Sequence, residues 1–384
     1  MRKALLAAAI CLVSIGMVAA GIVLGGRGDD PASGPVSGLE TDVAIASPGA
    51  TDRRDLTEEF QRNRPIVVGH RGAWATWPDY TEGGYRAAVE GGADFVDVAT
   101  VMTKDGVLLA RYDGDLAIST DIASRSAFKG RRTTRVVNGR EVKGWFAEDF
   151  TWRELSKLRS RSSLGDYRRA AQQRDDREQI LRLEDVLDLV RRLSRESGRD
   201  IGVVIEPRDT EYVRGLGQPI EPLLTALLKD SPLAEEPGRV LVQTDDTRTV
   251  TALADSLPAS VATAFQVTEE VLEGGISGES LRALPSKIDL VVADIDLFVR
   301  YPVRDAVTAA HEEGLALFVR MIAPENALLL PQFRQGDDLR ANGDQAAEVR
   351  FFLAAGVDGV FADAPAEVSA AVDRLLPVWR RARR

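Results

Sequence analysis

From Pro65 onward, short Val/Ile-rich runs alternate with longer Ala/Leu/Arg segments of helical period. A strand buried on both faces reads as a continuous apolar run, whereas its crossover helix shows a one-sided stripe, so the alternation predicts βα units around a parallel sheet. The strand candidates are Ile66 to Gly69, Phe95 to Val98, Val107 to Arg111, Ile201 to Ile205, Val240 to Gln243, Val261 to Gln266, Leu290 to Ala293, Ala316 to Val319 and Gly359 to Phe361. Helices are expected over Thr81 to Val89, where Tyr85, Ala88 and Val89 form a stripe after the turn Pro78-Asp79, and over Leu183 to Leu193 behind Glu184 and Asp185. About eight such units fit the length of a (β/α)8 TIM barrel, whose working residues stand at the carboxyl ends of the strands.

Two stretches break the rhythm. Between Asp113 and Ile180 the chain is polar, with 15 Lys/Arg against 8 Asp/Glu over residues 125–178. This predicts an insertion on the barrel rim, over residues 114–180, that acts as a solvated cap or as a basic surface for anionic envelope material. At the other end, Arg2 and Lys3 precede an uncharged run from Ala4 to Gly26, closed by Arg27. A run of this length reaches the ~20 residues that span a bilayer, and two cations in front of it orient it with its start in the cytoplasm. Residues 1–27 are therefore expected to be a membrane anchor or an export signal cut near Val18-Ala19-Ala20. Residues 28–60, rich in Gly, Pro, Ser, Asp and Thr, read as a flexible linker, and residues 61–384 as the barrel, placed outside the cytoplasmic membrane.

Composition narrows the chemistry. With 44% apolar and 28% charged residues in 384, the chain is neither a disordered tail nor a small disulfide scaffold. Its net charge of -10 argues against nucleic acid as the main partner. Cys11, the single cysteine, lies in the apolar run, so the body has no thiol nucleophile, disulfide or zinc thiolate. Only His70 and His311 titrate near neutrality, and His311, between Ala309 and Glu313 in a helix ahead of a strand, is expected on the outer ring.

The order of motifs is specific. His70-Arg71-Gly72, Pro78-Asp79-Tyr80-Thr81, Gly92-Ala93-Asp94, Asp97-Val98-Ala99, Thr103-Lys104-Asp105-Gly106 and Tyr112-Asp113 follow one another, and Glu206-Pro207-Arg208 and Gly356-Val357-Asp358-Gly359 to Asp363-Ala364-Pro365 come later. This series resembles the glycerophosphodiester phosphodiesterase family, whose pattern is His-Arg-Gly, Pro-Glu-x-Thr, Gly-Ala-Asp, Glu-x-Asp, Thr-Lys-Asp-Gly, His-Asp, Glu-x-Lys and Thr-Asp-x-Pro. The resemblance implies hydrolysis of glycerophosphodiesters to glycerol 3-phosphate and an alcohol, with a divalent cation such as Ca or Mg and two histidines. A hard cation held by carboxylates neutralises the phosphoryl oxygens, while one imidazole takes a proton from the attacking hydroxyl and the other protonates the leaving oxygen.

Carried over position by position, the resemblance makes His70, Arg71 and Tyr112 the catalytic positions, with Asp97, Glu206 and Asp79 as metal ligands. Arg71 and Arg208 become substrate-binding residues, to which Trp77, after the His-Arg-Gly turn, and Arg320, at the end of Ala316 to Val319, are added from their positions alone. Two positions depart from the pattern. Ala99 replaces the second carboxylate of Glu-x-Asp, and Tyr112 replaces the second histidine. Loss of a positioned acid or base typically costs ~10²- to 10⁴-fold in rate, so weakened hydrolysis and a loosely held cation are expected. Three readings follow: a weakened phosphodiesterase, a non-catalytic binder of glycerophosphoryl or polyol-phosphate groups, and an anchored envelope-interaction module.

Overall fold

The computed structural model describes residues 53–61, 64–269, 272 and 274–383, so the uncharged N-terminal run and most of the linker lie outside the described residues. Among the described residues no helix is long and apolar enough to cross a membrane. Eight parallel strands close into a barrel. They are β1 (Ile66–Gly69), β2 (Phe95–Met102), β6 (Gly202–Pro207), β7 (Val240–Thr244), β8 (Ala262–Val267), β9 (Leu290–Asp294), β10 (Ala316–Ile322) and β11 (Gly359–Ala362). Neighbours pair in that order, and β1 closes the circle by pairing with both β11 and β2. The (β/α)8 architecture read from the alternation is the one observed.

Period-two alternation decides what each strand sends inward. Val68, Phe95, Val204, Leu241, Ala262, Ala264, Leu290, Val292, Ala316, Phe318 and Phe361 form the lower barrel core. Residues of the opposite parity, among them Val67, Val96, Val203 and Val360, pack under the surrounding helices. Continuing each inward row toward the carboxyl end brings His70, Asp97, Glu206, Gln243, Gln266, Asp294, Arg320 and Asp363 to the mouth.

Three sequence expectations are corrected. Val107 to Arg111 is not a barrel stave: β3 (Leu108–Ala110) pairs antiparallel with the end of β2, because the turn Thr103-Lys104-Asp105-Gly106 is too short for a crossover. The linker ends sooner than residue 60, since Arg53–Gln61 is a helix, α1. Its Leu56 and Phe60, one turn apart, plug the bottom of the barrel, and the Phe60 ring lies 6.1 Å from Phe95 and 5.9 Å from Phe318. The basic insertion is also more than a solvated cap. Its hairpin of β4 (Thr133–Val137) and β5 (Arg140–Gly144) is exposed, but Leu116, Ile122, Phe128, Phe150, Leu155 and Leu158 build a core of their own against Val101 and Leu109.

Candidate functional site

The site begins at a sharp turn. After β1 the chain passes through Arg71 at φ +53° and Gly72 at φ +92°, both in the left-handed region. Only glycine fits the second position, because a Cβ there would sit 2.8 Å from the backbone of Gly84. That approach seats the first turn of α2 (Glu82–Glu90), whose amide at Gly84 donates to the Thr81 hydroxyl. The same turn lets the Arg71 amide donate to Asp97 Oδ2 at 3.2 Å.

His70 is 3% exposed, and its Nδ1 stands 2.7 Å from Asp363 Oδ1. Burial pushes the Asp363 carboxyl up, but Arg168 and His70 outweigh it and hold the group below the usual carboxylate range. Asp363 is therefore an anion that accepts the Nδ1 proton and leaves Nε2 as the ring nitrogen for exchange. Arg168, from the insertion, is fully buried: it forks onto Glu325 at 2.8 and 3.0 Å and donates to Asp363 Oδ2 at 2.5 Å. Its guanidinium also lies 4.2 Å from the centre of the Trp74 ring, whose edge meets His70.

Three further guanidinium groups surround this pair. Arg71 donates to Asp79 Oδ1 at 2.9 Å and stacks on Trp74 at 4.1 Å and on Tyr112 at 4.4 Å. Arg208 covers Tyr112 at 3.9 Å and donates to Glu206 Oε1 at 2.6 Å. Arg320 donates through Nη1 to Glu206 Oε2 and to Gln266 Oε1, both at 3.0 Å, and its Nε lies 3.4 Å from Asp294. Among the described residues, the buried N–H groups at Nε of Arg71 and Arg208 have no hydrogen-bond partner.

The expected site residues thus converge on the mouth, with two exceptions. Asp79 is fully buried and takes Arg71 on Oδ1, the Ser163 hydroxyl on Oδ1 at 2.7 Å and the Ser163 amide on Oδ2 at 3.0 Å. With its oxygens so occupied it orients Arg71 and is not a metal ligand. Trp77 does not wall the mouth either; its ring packs on Gly83 in the first turn of α2, under Arg174. His311 stands on the outer ring at Asp358, as its helix position implies. Tyr112 sits between two guanidinium groups, yet burial outweighs them and pushes its phenol above its ordinary value. It is a neutral hydrogen-bonding group and not a base.

The sequence reading missed Asp363, Arg168, Asp294 and Asp245. For Asp363 and Asp294 the signal was available: each stands two residues beyond an inward apolar residue, Phe361 and Val292. Burial pushes Asp294 up to about 7 against the pull of Arg320, and it raises Asp245 as well. For Arg168, buried in a polar insertion, no local pattern marks it.

The donor set does not fit a divalent cation. Such an ion takes about six to eight oxygen ligands, of which Ca draws several and Mg one or two from carboxylates. Both Glu206 oxygens accept guanidinium or amide N–H groups, Gln243 Nε2 adding a third at 3.1 Å, and Ala99 offers a methyl group. Among the described residues Asp97 contributes one unpartnered oxygen, Oδ1, and Asp294, raised by burial, holds Arg320 and Gln266 on Oδ1. Among the described residues no group of three or more His, Cys, Asp or Glu is arranged to hold a metal.

The model of the glycerophosphoryl diester phosphodiesterase family matches residues 70–367. Glycerophosphodiester phosphodiesterase GDPD6 of Arabidopsis thaliana is 38% identical over 99 residues, covering 26% of this chain and 27% of that protein. GDPDL6 of the same plant is 24% identical over 317 residues, 78% of this chain and 39% of that protein. The chain thus spans less than half the length of these curated relatives. Among solved structures, an Oleispira antarctica phosphodiesterase in complex with the product sn-glycerol-3-phosphate superposes with a TM-score of 0.53 at 17% identity, over 83% of this chain and 99% of that one, a likeness of fold.

Proposed function

The chain belongs to the glycerophosphoryl diester phosphodiesterase family, and from that premise we propose that its barrel mouth binds the phosphoryl group of a glycerophosphodiester and hydrolyses it slowly. The observation that carries this reading is the buried His70–Asp363 pair set among the guanidinium groups of Arg71, Arg208 and Arg320. A phosphodiester is an anion that resists attack, and fixed guanidinium donors in a buried site favour its approach and the charge that develops on its oxygens. His70 Nε2 moves one proton, with Asp363 fixing the tautomer and the ring orientation. The second proton transfer has no imidazole, and Tyr112, its phenol pushed up by burial, keeps its proton. Hence the expected products, glycerol 3-phosphate and an alcohol, form at a reduced rate. The Oleispira antarctica phosphodiesterase, similar in fold, is in complex with the product sn-glycerol-3-phosphate, an anion of the class that guanidinium groups attract.

The test is release of glycerol 3-phosphate from glycerophosphocholine and glycerophosphoethanolamine by the full chain, with His70→Ala alongside. Turnover below the ~1 to 10³ per second usual for hydrolases, lost in His70→Ala, is expected. Turnover inside that range contradicts a weakened centre.

A binder without turnover is the second reading, favoured by the engaged state of Glu206. It predicts saturable binding of glycerophosphocholine with no release of glycerol 3-phosphate. We further propose that the body lies outside the cytoplasmic membrane, either anchored by the uncharged run Ala4 to Gly26 or secreted after its removal, a placement supported by Arg2 and Lys3 ahead of that run. Protease accessibility of the body in intact cells, compared with lysed ones, checks it.

A further inference from the structure

Arg320 stands among the acidic residues of the barrel mouth, paired with Glu206 and Asp294. It lies within electrostatic reach of Asp97, Glu206, Asp245 and Asp294, which come from β2, the end of β6, the end of β7 and the end of β9. Its position follows from the packing below it. Ala316 and Phe318 are locked into the lower barrel core, so the same inward row carries residue 320 to the mouth, and β10 shifts register against β11 between Val319 and Ile322. The side chain is 6% exposed and tied to Glu206, Gln266 and Asp294 by Nη1 and Nε.

We propose that the Arg320 guanidinium takes the place of a divalent cation in this barrel, so that phosphoryl-group binding is metal-independent and depends on Arg320, Arg208 and Arg71. A metal ion entering the mouth would have to remove two guanidinium groups from Glu206 and then sit beside their charges. An anion instead meets three guanidinium groups, with the Glu206 charge already taken up by Arg208 and Arg320. The Nη2 hydrogens of Arg320 and the unpartnered Nε–H groups of Arg71 and Arg208 are donors of the kind that phosphoryl oxygens accept. Guanidinium differs from a hard cation in carrying one diffuse charge with directional N–H bonds, so affinity is set by geometry and is indifferent to chelators. The ligand half of this inference rests on the phosphodiester reading above; the metal half does not.

Calorimetric titration of the chelator-treated full chain separates the two. Calcium or magnesium alone is expected to give no saturable heat below the millimolar range. Titrated with sn-glycerol 3-phosphate, the protein is expected to show the same affinity in EDTA and in excess calcium, and Arg320→Met to weaken it by about tenfold or more. Arg320→Met also removes the guanidinium contacts to Glu206 Oε2 and Asp294, and calcium binding that appears only in this variant supports the substitution of metal by arginine. Micromolar calcium binding by the unaltered chain that Glu206→Gln abolishes overturns the inference, as does a tenfold gain in glycerol 3-phosphate affinity on adding calcium. If glycerol 3-phosphate binds under neither condition, the phosphodiester reading falls, while the calcium titration of the unaltered chain still decides the role of Arg320. That titration needs no variant, so misfolding of Arg320→Met leaves the test intact.

Discussion

Replacing Asp363 with asparagine keeps the outline of the side chain and removes its charge at the point where the insertion meets the catalytic turn. Asp363 accepts from two donors, His70 Nδ1 at 2.7 Å and Arg168 Nη2 at 2.5 Å. Asparagine has one acceptor and one NH₂ group, so either Arg168 meets a donor, or the NH₂ group faces His70 Nδ1 and forces the ring into its other tautomer. A buried donor left without an acceptor costs ~1–3 kcal/mol, and removing the partner of a buried charge costs ~3–5 kcal/mol. Arg168 keeps its fork on Glu325, which places the expected loss near the lower end, about 3 kcal/mol. Denaturant titration of Asp363→Asn should show a lower midpoint with an unchanged slope. The pH dependence has a definite sign. Because the Asp363 carboxyl is held below its ordinary value, its contribution is present above pH ~4 and is lost as the pH falls through the folded value. The stability gap between the two proteins should therefore narrow on acidification below that point. Any glycerol 3-phosphate release should drop ~10²-fold or more, since His70 loses its tautomer lock. A stability change below ~1 kcal/mol with unaltered turnover would refute the claim that Asp363 joins His70 to Arg168.

Three further outcomes follow from the same geometry. Phe60→Ala should destabilise the barrel by ~3–5 kcal/mol, because it empties the plug against Phe95 and Phe318; denaturation of the full chain and of a Phe60→Leu control measures it. Tyr112→Ala removes the ring between Arg71 and Arg208, so sn-glycerol 3-phosphate affinity should fall roughly 5- to 30-fold, while Tyr112→Phe, which keeps the stack, should stay close to the parent; isothermal calorimetry distinguishes them. Asp294→Asn should raise the melting temperature at pH 8 and leave it unchanged at pH 4 in calorimetric scans. The reason is that a carboxyl raised to about 7 favours the folded state only while protonated, an advantage lost as the pH climbs from its ordinary value through 7.

Linear features carried most of the architecture. Continuous apolar runs such as Leu290 to Ala293 are strands because only a two-faced core accommodates them, and sequence position puts His70, Arg71, Glu206 and Arg208 each at a predicted strand end. The family, too, was legible in that order of motifs. Local pattern could not reveal which charge meets which. Arg168 and Asp363 are 195 residues apart, Arg320 and Glu206 are 114 apart, and each pair forms only when the sheet closes on itself. Asp79 shows the same limit from the other side, because its carboxylate has the right chemistry for a metal and is consumed instead by Arg71 and by Ser163 from a distant insertion. Residue type and two-residue periodicity fix the direction in which a side chain leaves the backbone. The partner it finds there depends on barrel closure and burial, since a buried charge must be matched by whatever opposite charge the fold brings within reach.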